Sequence, residues 1–130
     1  MNNNLKYPIV AVDWDNTLYV PHKYARGLDP KGSSYLKQYR DLGGKLILFT
    51  CRAGKTIDTI VDICKMDGLE FDAINENIPE QVEAWLSMHP NDEISPKPFW
   101  YMLIDDTSFG MQNGIPWDDI GKEILKYKEE

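Results

Sequence analysis

Two acids one residue apart, Asp13 and Asp15, follow directly on the apolar run Ile9-Val10-Ala11-Val12, and Asn16 and Thr17 come next. A second acidic pair, Asp105-Asp106, follows Phe99-Trp100-Tyr101-Met102-Leu103-Ile104. Between them, Thr50-Cys51-Arg52 follows Lys45-Leu46-Ile47-Leu48-Phe49. Each polar group stands after a short apolar run of the kind that forms a buried strand. Ligands of open α/β sheets bind at the carboxyl ends of the strands, where these groups would converge. Carboxylates gathered at one place cannot all stay ionised without a cation among them. Oxygen donors alone favour a hard ion, and Mg2+ held by a few carboxylates together with a substrate phosphate is the usual arrangement.

The elements that must position these groups alternate along the chain. A strand ends at Val12, and Leu18 to about Ser33 reads as irregular, with Pro21, Gly27, Pro30 and Gly32. Loops of that length beside a site are often functional; Tyr19 to Tyr24 read either as a flap over the site or as a loop packed on the sheet. From Ser34, the positions Tyr35, Tyr39 and Leu42 predict a helix that Gly43-Gly44 stops. The strand Lys45–Phe49 follows. Ile57, Ile60, Val61 and Cys64 predict an amphipathic helix ending near Gly68, and Phe71 to Ile74 a third, weaker strand. Pro79 suits a first helical turn, with Val82, Trp85 and Leu86 turned inward. After the polar loop Asn91–Pro98 comes the fourth strand, Phe99–Ile104, and a last helix carries Trp117, Ile120, Ile124 and Tyr127 inward. This β-α-β-α-β-α-β-α order calls for an α/β three-layer, Rossmann-like sandwich. Its four or five strands form a mainly parallel sheet with helices on both faces and right-handed crossovers.

The chain has 130 residues, which fits one domain spanning 1–130, with residues 1–6 expected to form a flexible start. A net charge of -7 argues against broad nucleic-acid binding, which relies on clustered Lys and Arg. The same charge does not attract an anionic substrate, so a local cation must do so. The two cysteines form no CxxC motif or disulfide framework and read as free thiols of a reducing compartment. Cys51 is expected to be buried and inert, since no histidine is placed to activate it. His22 and His89 have no second ligand at metal spacing and are read as exposed. The first residues lack the regions of a signal peptide, and no apolar run is long enough for a membrane span. A soluble, cytoplasmic protein with no membrane partner is the expectation.

Taken together, the motifs resemble those of the haloacid dehalogenase superfamily of phosphatases and phosphotransferases, over nearly the whole chain. Its D-x-D-x-T motif is matched by Asp13-Trp14-Asp15-Asn16-Thr17, its hydroxyl after the next strand by Thr50, and its acidic pair by Asp105-Asp106. The lysine upstream of the last core strand is best matched by Lys97, with Lys45 and Lys55 as competitors. Small capless members of the superfamily are the nearest likeness. They share Leu48-Phe49-Thr50-Cys51-Arg52, the run from Gly68 to Asn75, and Ile104-Asp105-Asp106 followed by Gly110 and Trp117. Trp14 and Asn16 depart from the commoner D-F-D-G-T, and Asn suits a left-handed backbone where Gly is usual. Trp14 contributes a backbone amide in the family, so its side chain matters less there. Thr107 stands where the small group has Arg.

The resemblance implies a Mg2+-dependent phosphomonoester hydrolase working through an aspartyl-phosphate. Asp13 is the implied nucleophile and Asp15 the acid and base. Thr50 and Lys97 bind the transferring phosphoryl oxygens. Asp13, the Asp15 carbonyl and Asp106 hold the ion, with Asp105 beside it. Trp14, Asn16, Thr17, Cys51 and Arg52 are the implied substrate contacts. For Arg52, whose fork suits oxyanions, a surface ion pair is an equal alternative. Without room for a cap the site is open, which implies a phosphorylated macromolecule, or a small molecule in a homo-oligomer whose neighbour covers the site. The alternatives are a catalytically idle binding or regulatory module and a phosphotransferase. A receiver domain is excluded because the acidic pairs sit on the first and last strands. A phosphate-binding loop is excluded because Gly43-Gly44-Lys45 precedes a strand.

Overall fold

A computed structural model describes residues 3–129. Four parallel strands, β1 (Ile9–Val12), β2 (Lys45–Leu48), β3 (Ala73–Ile74) and β4 (Met102–Ile104), alternate with α1 (Pro30–Asp41), α2 (Lys55–Met66), α3 (Pro79–Met88) and α4 (Trp117–Ile124). The sheet order is β3-β2-β1-β4. The chain therefore runs outward from β1 to β3 and then returns across the sheet to β4. The crevice between β1 and β4 is the point where the winding reverses.

Successive residues of a strand face opposite sides, and the core divides accordingly. Val10, Val12, Leu46, Leu48 and Ile104 bury one face against Leu36 and Tyr39 of α1, Ile60 and Cys64 of α2, and Trp117, Ile120 and Ile124 of α4. Ile9, Ala11, Ile47 and Ala73 bury the other face with Ile78, the residue that caps α3. The three-layer α/β sandwich is thus the observed architecture. Its layers are unequal, with three helices on one face and α3 alone on the other. Helices α1 and α4 approach closely at two glycines: a Cβ on Gly32 would lie 2.7 Å from the Trp117 ring, and one on Gly121 2.2 Å from the Tyr35 ring.

Several elements depart from the expectation. The first helix begins at Pro30, not Ser34, because Asp29 caps it: Asp29 Oδ1 accepts from the N–H groups of Lys31 (2.9 Å) and Gly32 (3.3 Å). An Asp followed by Pro at the first helical position is a start signal in its own right. The fourth strand is shorter than Phe99–Ile104; Phe99 and Tyr101 precede it, half exposed and packed edge to face. Leu86 is exposed, and α3 has no fully buried residue. Tyr127 lies past the end of α4, exposed and bridged to Leu5. That bridge, with Lys6 N–H donating to the Lys126 carbonyl, packs a start expected to be loose: Leu5 is fully buried. Of the expected flexible segment, Met1 and Asn2 lie outside the described residues.

Asp29 also donates its own N–H to the Leu18 carbonyl, so the cap ties the loop after β1 to α1. Substituting Asp29→Ala is expected to cost about 1 kcal/mol of stability, read as a lower midpoint in urea unfolding with an unchanged slope.

Candidate metal and phosphate site

Register builds the site. Val12 pairs with Ile104 and with Leu48, so Asp13, Asp105 and Phe49-Thr50 leave the sheet at one level. The Asp13 N–H donates to the Ile104 carbonyl at 2.9 Å, which carries the pairing one residue beyond β1. Past Asp13 the chain turns tightly about the Trp14 carbonyl, which accepts from the N–H groups of Thr17, Leu18 and Tyr19. Asn16 holds φ at 61°, the left-handed geometry expected of it.

Asp13, Asp105 and Asp106 each bring a carboxylate oxygen to within 4.8 Å of the others. Burial pushes the Asp13 carboxyl up to about 6, and the neighbouring Asp105 and Asp106 charges add to the rise against the lowering effect of the Trp14 N–H. Thr17 is fully buried beneath the cluster: its hydroxyl accepts the Asp106 N–H at 2.9 Å and lies 3.3 Å from Asp106 Oδ1 and 3.5 Å from Asp13 Oδ2. Thr107 takes a position none of the motifs foretold: its N–H and hydroxyl both donate to Asp105 Oδ1 at 3.0 Å. Asp106, whose oxygens are less engaged, is the freer ligand of the pair. Among the described residues no lysine, arginine or histidine forms an ion pair with these three acids. An all-oxygen donor set with excess negative charge fits a hard divalent cation such as Mg2+.

Asp15 faces elsewhere. Arg52 forks both of its oxygens, Nε to Oδ2 at 2.9 Å and Nη2 to Oδ1 at 2.6 Å, and this holds the Asp15 carboxyl below the usual range. The fork spans the gap between the ends of β1 and β2. Thr50 is half-buried beside it; its hydroxyl accepts the Arg52 N–H at 3.1 Å. Thr50 N–H in turn donates to Asn75 Oδ1 at 2.8 Å, and Asn75 holds a left-handed φ of 54°. Asn75 and Asn77 are the positioning residues that the sequence reading passed over. Asn77 Nδ2 donates to the Lys97 carbonyl at 3.2 Å and Asn77 Oδ1 accepts the Phe99 N–H at 2.7 Å, which fixes the backbone of the Lys97 loop. The Lys97 side chain is exposed and makes no hydrogen bond to the acids. Lys45 pairs with Glu80 at 3.6 Å.

Two further expectations are corrected, for Cys51 and His89. Cys51 is exposed, because it sits past the end of β2; the buried thiol is Cys64, pushed up to about 12 by burial. The Trp14 side chain is buried, and stacks on Tyr19 at 4.8 Å between centroids, so it anchors the following loop. His89 is half-buried, stacked on Trp85, with Nδ1 2.9 Å from the Trp85 carbonyl. His22 is exposed as expected. The loop itself folds back as a small flap: Tyr19 bridges Leu28, and Val20 N–H donates to the Gly27 carbonyl. No helix among the described residues is long and apolar enough to cross a membrane.

No protein-family model matches the chain, and no curated protein matches it. A solved structure of a conserved protein from Bacteroides thetaiotaomicron is similar to it, with 32% identity over 92% of this chain and 88% of that one and a TM-score of 0.67. Identity at that level over nearly the full length of both chains makes this protein a member of the same family as the conserved Bacteroides protein.

Proposed function

We propose that the protein is a phosphomonoester hydrolase of the haloacid dehalogenase type, dependent on Mg2+ and acting through a phosphoryl group carried on Asp13. The observation that carries this reading is the convergence of Asp13, Asp105 and Asp106 at the crevice between β1 and β4. Asp13, Asp106 and the Asp15 carbonyl would hold the ion, with Asp105 braced by Thr107. When bound, the ion supplies charge that lets a carboxylate and a phosphate approach each other.

The chain's own groups do the rest. A carboxylate oxygen of Asp13 attacks phosphorus, the bond from phosphorus to the ester oxygen breaks, and the departing oxygen takes a proton from Asp15. Water then attacks the same phosphorus and gives its proton to Asp15, and the bond to Asp13 breaks to release inorganic phosphate. Asp15 can exchange a proton only when its oxygens are free of Arg52. A phosphate dianion competes for that guanidinium, since the fork suits either oxyanion. Substrate binding thus moves Arg52 from Asp15 to the phosphoryl group. Thr50, next to Arg52, and Lys97, on the loop fixed by Asn77, complete the phosphoryl contacts.

Metal-dependent release of phosphate from p-nitrophenyl phosphate, a phosphomonoester, is expected for the wild type. Asp13→Asn should lower it by at least about a thousandfold, as loss of a nucleophile does, while leaving the circular dichroism spectrum unchanged. Undiminished turnover in that variant would overturn the mechanism.

A second expectation concerns stability. The Asp13 carboxyl titrates higher in the folded chain, about 6 against 3.8, so its contribution to stability is fully present below pH 3.8 and is lost as pH rises through 6. Without divalent ions, Asp13→Asn is therefore expected to melt a few degrees above the wild type at pH 7.5, and the gap should close near pH 4. Mg2+ should raise the wild-type melting temperature at pH 7.5 and have little effect at pH 4. Equal melting of the two proteins at pH 7.5 in a chelator would show that the cluster carries no such tension.

A further inference from the structure

The exit of β3 carries none of the groups assigned above to chemistry. It holds two asparagines instead, Asn75 and Asn77, whose side chains bond to segments far along the chain. The turn that bears them is fixed at both ends, since Ala73 before it and Ile78 after it are buried in the core under the sheet.

Asn75 is bonded twice to the chain leaving β2. Its N–H donates to the Leu48 carbonyl at 2.8 Å, and its Oδ1 accepts the Thr50 N–H at 2.8 Å. It does so at a left-handed φ of 54°, and backbone kept in that region gathers at functional sites. The Thr50 hydroxyl accepts the Arg52 N–H at 3.1 Å and donates to no acceptor among the described residues. A hydroxyl has one proton to give, so this one is left for a phosphoryl oxygen.

Asn77 treats the loop before β4 in the same way. Its Nδ2 donates to the carbonyls of Ser95 (3.4 Å) and Lys97 (3.2 Å), and its Oδ1 accepts the Phe99 N–H at 2.7 Å. The Lys97 N–H donates to Ser95 Oγ at 3.1 Å, and Pro96 and Pro98 flank the lysine and narrow its backbone freedom. The Lys97 backbone is therefore fixed while its ammonium stays exposed. Thr50 and Lys97 stand on different segments, and the turn after β3 is hydrogen-bonded to both.

We infer that Asn75 and Asn77 are positioning residues for phosphoryl transfer, and that the turn after β3 sets the spacing between the Thr50 hydroxyl and the Lys97 ammonium. The inference rests on the hydrolase reading above. Donors aimed at developing charge act through their placement, and an error of about 1 Å can cost a hundredfold in rate.

The test is a pair of double-mutant cycles on p-nitrophenyl phosphate, with the full chain and Mg2+. Asn75→Gly keeps the left-handed backbone and removes the acceptor; Asn77→Ala removes both bonds to the Lys97 loop. Each should lower kcat by about tenfold or more and change KM by less than about threefold, because the contacts tighten in the transition state. In a Thr50→Ala background the effect of Asn75→Gly should shrink below about twofold, and in Lys97→Ala it should persist. Asn77→Ala should behave the other way round. Should Asn77→Ala not fold, Asn77→Asp keeps the acceptor for Phe99, loses the donors to the loop, and is expected to show the same coupling to Lys97. Equal losses in every background, wild-type kcat in both asparagine variants, or full activity of Thr50→Ala and Lys97→Ala would overturn the assignment, while wild-type turnover abolished by Asp13→Asn upholds the hydrolase. Absence of phosphate release by the wild type would defeat the hydrolase reading and this assignment with it.

Discussion

The pairing of Val12 with Ile104 forces Asp13 and Asp105 out of the sheet side by side, with Asp106 next along the chain. Unit charges about 4 Å apart repel by on the order of a few kcal/mol even at the effective dielectric of a protein surface. In the reading proposed above, a cation relieves that repulsion. The rest of the site follows from holding those acids in place. Thr17, buried beneath them, satisfies the Asp106 N–H and lies within reach of two of the carboxylates. Thr107 takes one oxygen of Asp105. Neither hydroxyl brings a positive charge, so the acids are oriented without being neutralised.

The two halves of the acid motif therefore differ in environment although one residue separates them. Asp13 faces other acids in a half-buried crevice and its carboxyl is pushed up; Asp15 faces a guanidinium and is held down. The chain has left the strand at Asp13 and turns about the Trp14 carbonyl, so Asp13 meets the acids after β4 while Asp15 meets Arg52 beyond β2. A nucleophile beside a cation site and an acid-base group under separate control are what the proposed two-step transfer asks of them. The fork to Arg52 engages both oxygens of the second acid.

Much of this was legible because the informative features are local. Strand ends are marked by apolar runs that stop at polar residues, and parallel order brings such ends to one edge whatever the helices do. Asn16 was readable from its tolerance of left-handed angles. What escaped depended on tertiary neighbours. Cys51 was expected to be buried because no histidine is placed to activate it, yet it lies three residues past the end of β2, where the sheet no longer covers the chain. Leu86 and Tyr127 have helical spacing, but α3 meets a thin layer and α4 has ended before residue 127. The backbone of the Lys97 loop is placed by Asn77, twenty residues earlier, and no periodicity reports such a contact. The early start of α1 was different: Asp29-Pro30 states it openly, as a cap followed by a first-turn proline.

The flap shows how a short chain can shape a site without an inserted domain. Tyr19 stacks on Trp14, which is buried next to Asp13 in sequence, and its ring lies so close to Gly27 that a Cβ there would sit 2.1 Å away. Gly27 also holds a φ of 78°, which favours glycine. The flap is thus closed over an aromatic ring at one end and fastened at the other by Asp29, which caps α1 and binds the Leu18 carbonyl. Because Trp14 belongs to the turn that carries Asp13 and Asp15, the flap and the acids are parts of one packed body.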